Sequence, residues 1–236
     1  MKIVIINGQN HKGITYNMAK LVVDKITAEK EVTEFFLPKD LNRFCMGCYA
    51  CLKERTACPF QSEKQPILDA MISADLIILT SPTYCMMPSA PMKAFLDLFF
   101  TNWLSHKPIA EMFGKRALVV SSAAGAGSDK TCKLMKTNLE NWGIPQIKTL
   151  AVNANATSWQ TVPTKKLALI QKKTDKLAAY YSKNCSKAPK ITLKLKIMFG
   201  IFAGMQSANW GAAPEEKQYW SEKGWLEDNR PWKSKK

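Results

Sequence analysis

Histidine is nearly missing: His11 and His106 are the only two in 236 residues, and neither stands in a Ser/His/Asp or metal-ligand pattern. A hydrolytic triad is not expected. No stretch reaches the roughly 18 consecutive apolar residues of a spanning helix. The run Met1-Lys2-Ile3-Val4-Ile5-Ile6-Asn7 has too short an apolar core for a secretory signal. A cytoplasmic protein with no membrane partner is expected. Acidic residues are few, 19 Asp and Glu against 34 Lys and Arg, for a formal charge of +15. Between Thr164 and Lys196 ten lysines meet one acid, Asp175, so that segment alone carries +9. No arginine and aromatic platform accompanies them, which points to a solvated helix face and not to nucleic acid. Internal repeats and low-complexity segments are absent as well, and the length allows one ordinary domain plus an extension.

What is present alternates. Lys2 to Asn7 is a short β-branched run, followed by a polar loop from Gly8 to Asn17 and then by Met18, Leu21, Val22 and Ile26 at helical spacing. Glu31 to Leu37 reads as a second strand and Asp75 to Thr80 as a central one buried on both faces. Three prolines in Ser81-Pro82-Thr83-Tyr84-Cys85-Met86-Met87-Pro88-Ser89-Ala90-Pro91 then predict a loop, with a helix carrying Phe95, Leu98 and Phe99 beyond it. Arg116 to Ser122 reads as a fourth strand. A helix with Leu134, Met135 and Leu139 as its buried positions follows, stopped by Gly143, and Ile144 to Val152 supplies a fifth strand. Leu167, Ile170, Leu177 and Tyr181 mark a last, lysine-backed helix. Strands alternating with helices at this spacing imply an α/β protein with a doubly wound parallel sheet, whose ligands bind at the carboxyl ends of the strands. The first loop, ahead of a helix N-terminus, is where a phosphate would sit, with Thr15, Asn17 and Lys12 as added donors. Ala123-Ala124-Gly125-Ala126-Gly127-Ser128 is not a dinucleotide fingerprint, because the three-glycine spacing is incomplete and it follows the fourth strand.

The segment Ser81-Pro82-Thr83-Tyr84, a short stretch, then Lys93-Ala94-Phe95-Leu96-Asp97 resembles the flavodoxin-like NAD(P)H-dependent FMN reductases, which carry Ser-Pro-x-Tyr and Lys-x-Phe-Leu-Asp. The resemblance implies five strands in the order 2-1-3-4-5 and a flavin ring held at Pro82, Thr83, Tyr84, Cys85 and Met86. It also implies a phosphate loop of Gly8, Gln9, Asn10, His11, Lys12, Gly13, Thr15, Tyr16 and Asn17, matched loosely at Gly8, Gly13 and Thr15, while Gln9 and His11 depart from the family's pattern. A third loop, Ser122, Ala123, Ala124, Gly125 and Gly127, would approach the flavin edge, where glycine leaves room. FMN as cofactor rests on loop placement plus this resemblance. NAD(P)H as donor rests on the resemblance alone, as does a small acceptor such as a quinone, a nitro or azo compound or free flavin. No side chain is singled out as catalytic; Tyr84 and Cys85 are the candidates beside the ring.

Seven cysteines, an odd number, do not make a secreted disulfide framework. Cys45, Cys48, Cys51 and Cys58 have the spacing C-x2-C-x2-C-x6-C, which is close to compact iron-sulfur motifs; four thiolates on one loop also suit zinc, and free or redox-active thiols are the remaining alternative. The resemblance to the iron-sulfur flavoprotein branch implies a 4Fe-4S cluster there and an alternative role as an electron carrier with a ferredoxin-like partner. Tyr219-Trp220-Ser221-Glu222-Lys223-Gly224-Trp225-Leu226 resembles the tail of clostridial-type members. A flavodoxin-like domain over 1–186 and an extension over 187–236 are therefore expected. The apolar stretch 191–205 is too apolar to dangle and is expected to join a homodimer or larger homo-oligomer, the alternative being a tail that wraps its own domain.

Overall fold

The β-branched runs fold as strands of one parallel sheet in the computed structural model, which describes residues 1–233. The strands β1 (Lys2–Asn7), β2 (Glu31–Phe36), β3 (Leu76–Tyr84), β4 (Arg116–Ala123) and β5 (Gln146–Asn153) pair in the order β2-β1-β3-β4-β5, all parallel. This is the flavodoxin-like order that the resemblance implied. Helices α1 (Ile14–Asp24), α2 (Gln61–Ser73), α3 (Ala90–Leu98) and α4 (Ser128–Asn141) lie between successive strands, and α5 (Thr164–Asn184) follows the last one. Because side chains alternate along a strand, Ile3 and Ile5 of β1 pack with Met18 and Val22 of α1 and with Ile170 and Tyr181 of α5. Val4 and Ile6 face the other way, toward Met71 of α2, Phe95 of α3 and Met135 of α4. Two cores result, one on each side of the sheet. The Tyr181 hydroxyl, fully buried, donates to the Ala117 carbonyl at 2.9 Å.

Two expectations are corrected. Leu134 is 38% exposed; the buried stripe of α4 runs through Cys132, Met135 and Leu139 instead. The side of α4 that faces the sheet is filled by Thr131, Cys132, Met135 and Leu139, and Leu134, 100° round the helix from Met135, turns toward solvent. The second correction concerns β3, which does not stop at Thr80 but continues through Tyr84, with Pro82 opposite Ser122 and Met87–Pro88 folding back antiparallel onto Thr83 and Tyr84. The Thr80 carbonyl accepts from the Gly8 N–H at 2.7 Å, so alternate β3 residues turn their backbone toward β1, which ends at Asn7. Pro82 turns its missing N–H past the end of that ladder, where proline is tolerated. The Gly8 carbonyl, deprived of a strand donor, accepts from the buried Ser89 hydroxyl at 2.8 Å. Ser89→Ala should leave this carbonyl unpaired and cost about 1–3 kcal/mol, read as a lower urea midpoint at unchanged slope. An unchanged midpoint would remove the hydroxyl from this role.

Beyond α5 the chain forms α6 (Leu193–Ser207) and α7 (Pro214–Glu222). Leu195, Phe199, Trp220 and Trp225 pack with Leu104 and Phe113 into a third core, so the tail covers much of its apolar surface on its own chain. Trp220 Nε1 donates to the His106 carbonyl and the Tyr219 hydroxyl to that of Pro108, both at 2.6 Å. Glu216 is fully buried: Oε1 lies 2.6 Å from His106 Nδ1, and Oε2 accepts from the N–H groups of Ala212 and Ala213. The opposite face of α6 leaves Leu193, Ile197 and Ile201 exposed. Among the described residues no helix is long and apolar enough to cross a membrane.

Candidate functional site

The sheet order reverses at β1 and β3, and there the strand ends open onto a cavity of about 340 Å³. Its near wall is the first loop and the start of α1, from Asn7, Gln9 and His11 to Gly13, Ile14, Thr15 and Tyr16. The end of β3 contributes Thr80, Pro82, Thr83 and Tyr84, and the end of β4 contributes Ser122, Ala123 and Ala124. Three loops singled out from the sequence thus meet in one place. Asn7, Ile14, Thr80, Ala156 and Thr157 also line it and were not foreseen. Ala156 and Thr157 follow β5, and the rule that ligands gather at strand carboxyl ends carries a signal for them.

Eight of the residues singled out do not line the cavity. Gly8 lies beneath it. Asn10, Lys12 and Gly125 are exposed, with the Lys12 ammonium 5.3 Å from the centre of the Tyr16 ring. Asn17 Nδ2 donates to the carbonyls of Lys12 and Gly13, at 3.1 and 2.9 Å, and so holds the turn. Cys85 and Met86 form the exposed tip of the β3 hairpin with φ of +49° and +66°. Gly127, at φ +95°, lets that tip approach: a Cβ there would lie 2.6 Å from Met86 Sδ.

The cavity is rich in unused donors. The cap of α1 is Gly13, which offers no side-chain acceptor, and the first turn holds no acid, so its N–H groups face the crevice with the positive end of the helix dipole. Asn7 is buried; its Oδ1 accepts from Thr80 Oγ1 at 2.9 Å, while its Nδ2 has no partner. Thr15 Oγ1 and Ser122 Oγ lie 2.5 Å apart across the floor and join α1 to β4. Thr83 Oγ1 meets Ser121 Oγ at 2.9 Å and Thr131 Oγ1 at 3.0 Å, which fixes the far wall. Such a site suits an anion carried on a polar ring.

Cys45, Cys48, Cys51 and Cys58 line a separate cavity of about 20 Å³, closed by Phe60, Leu98 and Phe100. It has room for about one water. Among the described residues no three His, Cys, Asp or Glu side chains are grouped to hold a metal ion, so as placed the four thiols do not fit a four-iron cluster or zinc. The Arg55 guanidinium anchors this loop on Asn102 Oδ1 and the Lys107 carbonyl. Burial pushes the Cys51 thiol up, opposed by the ammonium of Lys64. Burial pushes Cys132 up to about 12, which keeps it a neutral thiol at pH 8. Iodoacetamide at that pH should label exposed Cys45, Cys48 and Cys85 and leave Cys132 untouched until denaturant is added, as read by peptide mass spectrometry. Labelling of Cys132 in the folded protein would contradict its placement.

A doubly wound sheet with a donor-lined cavity at its topological switch point defines an α/β protein of the nucleotide-cofactor-binding class. The chain belongs to the NADPH-dependent FMN reductase family, whose model matches residues 1–158. It is 37% identical over 100 residues to an iron-sulfur flavoprotein of Methanocaldococcus jannaschii, covering 41% of this chain and 51% of that one. It is 28% identical over 151 residues to an iron-sulfur flavoprotein of Archaeoglobus fulgidus, covering 61% and 64%. The chain therefore spans about half to two thirds of the length of these curated relatives. Among solved structures it is similar to an FMN-dependent NADH-azoreductase from Bacillus anthracis in complex with FMN, with a TM-score of 0.60, 15% identity, and coverage of 77% of this chain and 100% of that one. At that identity the likeness carries the fold alone.

Proposed function

We propose that this chain is a cytoplasmic oxidoreductase that holds FMN in the switch-point cavity, takes hydride from NAD(P)H and passes electrons to a quinone, a nitro or azo compound, free flavin or another small acceptor. The observation that carries this reading is the set of free donors around one cavity: the uncapped start of α1 and the buried, partnerless Nδ2 of Asn7. The residues suit the group. Gly13, Thr15 and the first turn of α1 would hold the phosphate, Pro82 and Tyr84 would wall the ring, and Asn7 together with the Ala123 and Ala124 segment would meet its polar edge. When bound, FMN supplies the hydride and electron transfer; among the described residues no Asp or Glu lines the cavity to add an acid and base pair. The protein's share is binding, orientation and exclusion of water. The test is visible absorbance of the purified protein, titration of apoprotein with FMN, then bleaching by NADH and NADPH in turn. Protein that neither retains nor takes up FMN overturns the reading.

A second reading, an iron-sulfur electron carrier, is favoured by the four cysteines lining one cavity and by the names of the curated relatives. It requires the loop to open well beyond its 20 Å³. Iron and sulfide analysis after anaerobic purification decides it: absence of both eliminates the cluster. We also propose that the domain spans 1–186 and that the 187–236 extension joins copies of the chain into a homodimer or larger oligomer through the exposed Leu193, Ile197 and Ile201. Sedimentation of the full chain as a monomer refutes that assembly, and an unchanged oligomer for Ile197→Glu refutes the face assigned to it.

A further inference from the structure

At the other end of the sheet, where β5 begins, lies a second cavity of about 400 Å³. β5 is eight residues long, so about 20 Å of strand separates it from the switch-point site. Its apolar lining is made by Ile144 just ahead of β5, by Ile147 within β5 and by Leu195 and Met198 of α6. Its rim carries three ammonium groups and one carboxylate. Glu140 lies 2.6 Å from Lys194 and 3.6 Å from Lys136, so two cations share a single anion. Lys148 stands 4.5 Å from the centre of the Tyr180 ring, and none of the ion pairs among the described residues includes it. The Tyr180 ring is itself fixed, because its hydroxyl donates to Gln146 Oε1 at 2.9 Å.

We propose that this cavity binds an amphiphilic anion, a carboxylate carried on an apolar body, independently of the flavin site. A compact inorganic anion would leave the apolar lining unused, and a neutral apolar molecule would leave the surplus of two positive charges unused. The volume lies within the roughly 300–1,000 Å³ of small-molecule sites. The carboxylate meets Lys148, where no protein acid competes, and the body lies on Ile147, Leu195 and Met198. An aromatic ring under an ammonium also holds that ammonium in place for an incoming anion.

The experiment is calorimetric titration of the full-length protein with octanoate, with octanol as the apolar body alone and with inorganic phosphate as the anion alone. Octanoate is expected to bind saturably and more weakly as salt rises, because the contact is partly exposed to solvent. Octanol and phosphate are expected to bind at least about tenfold more weakly, the factor that goes with losing one of the two contributions. Lys148→Gln, a surface change, should lower octanoate affinity about fivefold, and Met198→Gln should lower it through the apolar lining. Absence of octanoate binding, equal binding of octanol or phosphate, or an affinity moved by neither substitution would each overturn the proposal.

Discussion

Trp220→Ala should lower the free energy of unfolding by about 3–5 kcal/mol, the usual cost of removing a fully buried large aromatic, and the melting temperature by roughly 10 °C for a chain of this size. Trp220 has no exposed surface, its ring centre lies 5.0 Å from that of Phe199 and 5.3 Å from that of Trp225, and its Nε1 donates to the His106 carbonyl. Truncation empties the middle of the third core and also leaves a carbonyl without its donor. The neighbours cannot close the gap, since Trp225 is pinned between Phe113, Phe199 and Tyr219. Chemical denaturation followed by tryptophan fluorescence and circular dichroism measures the loss. A change under about 0.5 kcal/mol, the range of surface substitutions, would mean that the tail does not form a packed core with Leu104 and Phe113.

The second large effect is expected at Gly8→Ala. A Cβ at Gly8 would lie 2.7 Å from Ser89 Oγ, 3.0 Å from the Thr80 carbonyl oxygen and 3.1 Å from Met92 Cβ. The serine could rotate, but the Thr80 oxygen is backbone in the central strand and also accepts the Gly8 N–H. The strain falls on the loop, which carries Gln9, His11 and Gly13 into the cavity. A stability loss of about 1–3 kcal/mol is expected. If half of it appears as displacement of the loop, FMN affinity falls by about two- to tenfold. Thermal melts and FMN titration of the same preparations measure the two effects, and wild-type affinity in a stably folded variant would detach Gly8 from the site.

The loops of the candidate site were legible as loops because each lies between a β-branched run and a helical pattern. Which of their residues turn into the cavity was not. Tyr84 lines it and Cys85, its neighbour, does not, because positive φ at Cys85 and Met86 swings the hairpin tip outward. The cysteine spacing stands out in the sequence, yet only packing shows the four thiols around a space about one water wide. Asn7 reads as the last residue of a strand. Its unpartnered amide exists only once β3 lies beside it and Thr80 takes its oxygen.

By itself the sequence determined the main elements, their succession and most of the faces they bury, Leu134 and the far end of β3 excepted, because the backbone period sets the direction of each side chain and the apolar positions follow that period. It also determined that the tail had to be covered, since Trp220, Trp225 and Phe199 are too apolar to remain in water. The tertiary structure alone decided where that cover lies and how the site is closed. The His106 carbonyl that receives Trp220 is 114 residues away in the chain, and the Ser89 hydroxyl that replaces the N–H missing at Pro82 is 81 residues from Gly8. No local pattern encodes such pairs, because they form only when the packed sheet brings distant backbone groups together and leaves them no water to bond with.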